Sequence, residues 1–402
     1  MTPGRLPSAK AGERRLSYAA PEAGAEGIHP YVKDYENGVR RGQQVVRTLL
    51  PLRQEGFEPD VIYVHPGWGD GLYLKDLFPN TRLVGLFEFF YRPRGADVGF
   101  DPELPMSFND IFRVRSLNTL QLYALDACDA GIVATEWQRS RYPTEWQSKL
   151  HPIHEGVVTD VVTPDDGASF DLPSGRRLTR SDKVVTYVSR TLEPYRGFHQ
   201  FMRALPALQC LQPDAEIVIA GSDEGPGYGP PPRTAATWKA KLLEELGGGL
   251  DLSRLHFVGK LEYEAYLALL RVSRAHVYLT YPFVLSWSML DAMSAGFVVI
   301  ASRTAPVTEV IEHGINGLLV DFFDPAALAA QISDVLSHPQ SCESLSAAAR
   351  ATVVLRYDFT RQILPRHLAF LELPPQPGPD EARAERSRRG DTTSTIAEGM
   401  EP

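Results

Sequence analysis

Cysteine is scarce. The 402 residues hold Cys128, Cys210 and Cys342 alone, with no CxxC or other metal-ligand spacing. That excludes a disulfide scaffold and a cysteine-based zinc site, and it points to a reduced, cytoplasmic setting. Long apolar runs are missing too: none approaches the ~18 residues that would span a membrane. The N-terminal stretch MTPGRLPSAKAGERR is basic but lacks the apolar segment of a secretory signal. Positive charge is in short supply, with 41 Lys and Arg against 50 Asp and Glu and a net charge of −9. A nucleic-acid binder would be basic, so that class is disfavoured. Neither HExxH, nor a G-x-S-x-G elbow, nor a P-loop occurs.

What is present is enough apolar sequence, 43%, for true cores, and enough length for two domains. Residues 1–28 are rich in Gly, Ala, Pro and charge and are expected to be unstructured, as is the Pro-rich, charged tail 375–402. Between them strands and helices alternate. In the first half, 34–56 predicts a helix, 59–65 and 82–90 buried strands, 107–127 a helix, and 130–135 a strand; 151–160 reads as a last strand leading into a linker. In the second half, strands are expected at 182–190, 215–223, 254–260, 275–281, 297–302 and 316–322. Helices are expected at 197–209, 234–247, 262–273, 324–338 and 357–374, and a Pro/Gly loop at 225–233. This divides the chain into domains over 29–158 and 159–356. Repeated βα alternation in two halves implies an α/β protein with two parallel sheets facing a cleft, the default place for a site.

Several residue groups in this pattern suit anion chemistry. In 281–320 a loop runs into a short helix, with Leu285, Ser286, Trp287 and Ser288 at its start. A helix N-terminus at the carboxyl end of a parallel sheet binds anions. Ser288 and Asp291 also fit a capping box, which explains them equally well without a ligand. Arg190 ends a strand and Arg196 precedes a helix, so two permanent cations would meet a diphosphate there, unless both are simply solvated. His65 closes a strand before a Gly-rich loop. Glu88 sits in an apolar run, where a carboxylate is costly unless it faces a cleft or pairs with Arg92, Arg94 or Arg113. Glu309 reads as a helix-start acid.

The stretches VSRTLEPYRGF, EIVIAGSD, LHFVGKLEYEAYLALLRVSRAHVYLTYPF and SMLDAMSAGFVVIASRTAPVTEVIEHGINGLLVDF carry a resemblance across most of 182–340. The chain resembles the family 4 (group 1) glycosyltransferases of GT-B fold, with two Rossmann-like domains. In the first half, DVIYVHPGWG, CDAGIVATEWQRS and HPIHEGVVTD match more loosely, and HPGWGDGLYLKDLFP and EFFYRPRGADVGFDPE look like one bacterial subgroup.

The resemblance implies transfer from a nucleotide sugar (UDP-, GDP- or ADP-linked) to a glycan, lipid-linked or protein acceptor. It implies retention of anomeric configuration and no metal or other cofactor. It places Arg190 and Arg196 on the diphosphate, Leu285, Ser286, Trp287 and Ser288 over the phosphates and sugar, Asp291 on the ribose and Lys260 near the base. Glu88 and His65 fall on the acceptor side, Glu88 where many relatives carry a histidine. Three departures stand out. Phe283 replaces the first acid of the E-x7-E motif, Asp291 shortens the second, and the two arginines lie one residue further apart than usual. The family's opening strand, loop and helix have no counterpart in 1–28, so a shortened acceptor-side domain is expected. Against an active transferase stand two other readings, an impaired nucleotide-sugar binder or partner subunit, and an epimerase. A peripheral position at the inner face of a membrane fits the acceptor classes.

Overall fold

The computed structural model describes residues 14–19, 27–225 and 227–371. Most of 1–28 and all of 375–402, expected to be unstructured, lie outside that set. In the first half α1 (Lys33–Gln54) leads to β1 (Val61–Val64), α2 (Leu74–Leu77), β2 (Arg82–Leu86), α3 (Phe108–Leu117), α4 (Thr119–Ala127), β3 (Ala130–Val133), α5 (Glu136–Arg141) and β4 (Leu150–Pro152). A hairpin of β5 (Ser169–Asp171) and β6 (Arg177–Thr179) opens the second half. Then come β7 (Val184–Thr191), α6 (Phe198–Leu211), β8 (Glu216–Ser222), α7 (Trp238–Leu246), β9 (Leu255–Gly259), α8 (Tyr263–Val272) and β10 (Ala275–Tyr278). The last elements are α9 (Trp287–Ser294), β11 (Val298–Ser302), α10 (Ala305–Thr308), β12 (Leu318–Val320), α11 (Pro325–Ser337), α12 (Glu343–Arg356) and α13 (Leu364–Leu371).

Among the described residues the strands build two parallel sheets and the small hairpin. The first sheet runs β1-β2-β3-β4; the second runs β12-β11-β10-β7-β8-β9. Strands covered on both faces read as unbroken apolar runs, which is why the second sheet is so plain in the sequence. Phe201, Leu205 and Ile332 of α6 and α11 close one face, and Met289, Met293 and Val353 of α9 and α12 the other. In the first sheet, Phe87 and Leu150 pack beneath Leu125 of α4 and Leu49 of α1. Its opposite face is closed by the chain's own end: Ile363 and Phe370 reach Val84 and Ile132. The C-terminal helix thus returns to the first domain. Its turn is pinned where Val157 N–H donates to the Tyr357 carbonyl (2.8 Å) and Phe359 N–H to the Val157 carbonyl (2.7 Å).

A long loop of the first domain lies on the second. Tyr281 Oη donates to Asp101 (2.6 Å), His199 Nε2 lies 2.9 Å from the same carboxylate, and Tyr195 Oη donates to Asp97 (3.0 Å). Phe283, buried, packs its ring against Phe89 with centroids 4.6 Å apart. In the other direction Glu309 accepts from the backbone N–H groups of Glu136 (3.1 Å) and Trp137, so it does start a helix, but one of the opposite domain.

Some expected elements differ. The single helix over 107–127 breaks at Asn118, whose side chain both accepts from and donates to the backbone of Tyr91 (2.9 and 2.8 Å). The strand over 82–90 ends at Leu86, so Glu88 lies past the ladder rather than within it. The hairpin β5–β6 and helix α12 are additional. The hairpin buries little more than Phe170 and Leu178, and α12 only Ala349 and Val353, too few apolar residues to mark them.

Candidate functional site

In the second sheet the chain runs outward from β7 to β9 and, in the other direction, from β10 to β12. The order reverses between β7 and β10, and the crevice at the carboxyl ends of such a pair is where open α/β sheets bind ligands. A cavity of about 610 Å³ opens there. It is lined from the second domain by Arg190, Arg196, Lys260 and Leu285 to Ser288 with Asp291, and from the first by Glu88 and Glu155.

Arg190 lies near the end of β7, exposed to the cavity. Arg196 follows a tight turn closed by Gly197, whose φ of 70° favours glycine; a Cβ there would stand 2.2 Å from Leu279. The Arg196 guanidinium is buried and donates to Thr280 Oγ1 (3.1 Å) and the Val284 carbonyl (2.7 Å), which fixes it at the cavity floor.

The proposed capping box is absent among the described residues. Ser286 is the N-cap of α9 but forms no side-chain cap bond, and its Oγ lies 3.1 Å from Ser288 Oγ. Asp291 instead accepts from Tyr266 Oη at 2.8 Å. Among the described residues no side chain caps α9; the Ser286 N–H donates to Tyr278 Oη (2.8 Å), and the first-turn residues Trp287 and Ser288 line the cavity with the positive end of the helix dipole behind them. Burial pushes the Asp291 carboxyl up to about 6. Lys260 stands exposed at the rim.

On the opposite wall Glu88 projects from the segment after β2. His65 Nε2 lies 3.3 Å from its Oε2, and the His65 ring rests on Trp68 with centroids 4.6 Å apart. The bond and charge of His65 hold the Glu88 carboxyl below the usual carboxylate range, against the effect of burial, and Arg196 and Arg190 add to this. The anticipated arginine partners are not the ones Glu88 meets: Arg92 donates to the Arg141 carbonyl (2.6 Å) instead.

The structure thus brings Arg190, Arg196, Lys260, Leu285, Ser286, Trp287, Ser288, Asp291 and Glu88 to one cavity, with His65 directly behind Glu88. Sequence reasoning missed Glu155, Glu193 and Tyr228, which line it as well. Glu155 accepts from Trp287 Nε1 across the cleft. Glu193, its carboxyl raised by burial, accepts from Gly229 N–H (2.9 Å). Tyr228 belongs to the Pro/Gly loop, whose composition gives no sign of a role. Phe283 does not line the cavity; it sits beneath it in an aromatic cluster. The described residues that gather three possible metal ligands are Asp101, Glu103 and His199. There Glu103 is bonded to Arg203 and Asp101 to Tyr281, so the group joins the domains. No helix among the described residues is long and apolar enough to cross a membrane.

Residues 5–162 match the family model "Glycosyl transferase family 4 group", and residues 174–352 match "Glycosyl transferases group 1". A D-inositol 3-phosphate glycosyltransferase of Mycolicibacterium vanbaalenii is 25% identical over 243 residues, 60% of this chain and 50% of the relative. A phosphatidyl-myo-inositol mannosyltransferase of Mycolicibacterium smegmatis is 27% identical over 283 residues, 62% of this chain and 68% of the relative. The chain thus spans half to two thirds of these curated relatives. Among solved structures, sucrose-phosphate synthase from Thermosynechococcus elongatus superposes with a TM-score of 0.63 at 19% identity, covering 87% of this chain and 81% of that one. Anabaena HepE in complex with UDP and glucose superposes with a TM-score of 0.59 at 18% identity, covering 83% of each chain. Both likenesses concern the fold, which is GT-B.

Proposed function

The chain belongs to the family 4, group 1 glycosyltransferases, and from that premise we propose that its cavity binds a nucleotide sugar and passes the sugar to an acceptor hydroxyl with retention of configuration. One observation carries the reading: two arginines and the uncapped start of α9 converge on one cavity at the sheet's switch point. In the reaction the bond from the anomeric carbon to the diphosphate oxygen breaks, and the acceptor oxygen bonds to that carbon on the same face. Negative charge grows on the departing diphosphate. Arg190, Arg196 and the α9 N–H groups are aligned to receive it without a metal, and stabilisation of developing charge by fixed donors is commonly the largest catalytic term. Asp291 suits the ribose hydroxyls and Lys260 the base. Glu88, kept ionised by His65, is a hydrogen-bond acceptor and can orient the attacking hydroxyl. The hydroxyl proton passes to the diphosphate oxygen as the sugar leaves.

The relatives' names point to lipid-linked inositol or glycan acceptors and, in one case, a GDP-mannose donor, while HepE was solved with UDP and glucose. The acceptor class and the base are tested by thermal shift with UDP-, GDP- and ADP-sugars, followed by transfer assays on glycan and phosphoinositide acceptors. Stabilisation by a nucleotide sugar together with product formation is the expected outcome; failure of every nucleotide sugar to stabilise the chain would sink the reading. A cytoplasmic setting, at or near a membrane surface, suits such substrates. Phe283 favours a second reading, binding without transfer, because no carboxylate stands at that position. Saturable binding with neither transfer nor hydrolysis would select it.

A further inference from the structure

The loop over 227–233 covers the arginine pair, and one side chain of it touches both. The Tyr228 ring centroid lies 4.9 Å from Arg190 Cζ and 5.4 Å from Arg196 Cζ. Phe283 meets the same ring edge-on at 4.8 Å and lies 5.6 Å from Arg196 Cζ. Arg190 forms no ion pair and no side-chain hydrogen bond among the described residues, so this ring is the side chain seated directly against its guanidinium, with Glu88 and Glu193 acting on it through charge alone. The loop is built to stay in place. Gly229 N–H is bonded to Glu193, and Trp238 Nε1–H donates to the Pro230 carbonyl (3.1 Å). A Cβ at Gly227 would stand 2.4 Å from Glu193, and one at Gly229 3.0 Å from Tyr195, so the backbone is seated tightly. Three consecutive prolines, Pro230 to Pro232, stiffen the far side of the loop.

We propose that Tyr228 is a positioning residue of the donor site: its ring, backed by Phe283, orients Arg190 and Arg196 for the two phosphates of a nucleoside diphosphate sugar. This rests on the donor reading above. An aromatic face attracts a guanidinium without consuming its N–H groups. A carboxylate bonded to the pair would consume those groups; Glu88 and Glu193 share the cavity but pair with His65 and Gly229 instead. The ring lets two like charges sit together while the Arg190 fork, and the Arg196 N–H groups not engaged by Thr280 and Val284, stay free for phosphate oxygens. Phe283 extends the platform at the position where the resemblance leads one to expect an acid.

The test measures binding of inorganic pyrophosphate and of the nucleotide sugar chosen by the screen, by calorimetry on the full chain. Tyr228→Phe keeps the ring and should bind both as the parent does. Tyr228→Leu keeps apolar bulk without a π face and should bind both roughly tenfold more weakly, with an unchanged melting temperature. Parental affinity in Tyr228→Leu, tighter binding in Tyr228→Leu, or weakened binding in Tyr228→Phe would each overturn the proposal. If the parent binds the nucleotide sugar, such an outcome removes the platform and leaves the donor site standing. If the parent binds neither probe, both fall together.

Discussion

The two walls of the cleft are built differently. On the second-domain wall Arg196 is buried and tied to Thr280 and Val284, Asp291 is bonded to Tyr266, and α9 rises from a covered sheet. On the first-domain wall Glu88 and His65 hold chiefly each other, Glu88 half-exposed, and Glu155 borrows its partner from across the cleft. A preorganised wall suits a ligand of constant chemistry, such as a diphosphate. A looser wall suits a ligand of more variable shape.

The largest effect should come from the joint between the walls. Phe283→Ala removes a buried ring shared with Phe89, Tyr195 and Tyr228. It should cost about 3–5 kcal/mol of stability, measured by chemical denaturation. Arg196→Ala comes next. It should lower kcat/KM for transfer by roughly 10²–10³-fold, since a fixed donor to the developing anion is lost; unchanged turnover would dissolve the distinction drawn for the donor wall. Glu88→Gln should lower transfer by about tenfold to a hundredfold while the dissociation constant of the nucleotide sugar stays put. A change in donor affinity instead would move Glu88 to the other wall's business.

The smallest effect concerns pH. Burial raises the Asp291 carboxyl to about 6, so between about pH 4 and 6 the folded chain keeps a proton that the unfolded chain has released. Stability therefore falls as pH rises through that window, and Asp97, raised to about 6 by burial, acts in the same direction. Asp291→Asn should add about 1–2 kcal/mol of stability at pH 8 and nothing near pH 4, while nucleotide affinity drops at every pH. Parental stability at pH 8 would show that Asp291 is not held in that state.

The same contrast governs how much was legible. Strands such as Val184–Thr191 and Val298–Ser302 are covered on both faces and appear in the sequence as apolar runs with clear ends. Arg190, Arg196 and Ser286 can be placed from those ends, because a strand's carboxyl terminus fixes where the next residues point. Glu88 was harder. Its neighbours Phe89 and Phe90 are buried by packing and not by a ladder, so the run looks like a strand that the structure ends at Leu86. Tyr228, Glu155 and Glu193 act through contacts distant in sequence or through a loop without periodicity, and local pattern carries no trace of either. Glu309 shows the limit well: its type announced a helix start, yet the helix lies far earlier in the chain, a separation of 172 residues from Trp137.

The Asp101–His199 contact has a mechanical consequence. Both side chains are almost wholly shielded from water, and they belong to opposite domains. Swinging the halves apart would cost the carboxylate its contacts with His199 and Tyr281 and open a dry joint to water. The pair therefore acts as a latch that resists separation of the halves.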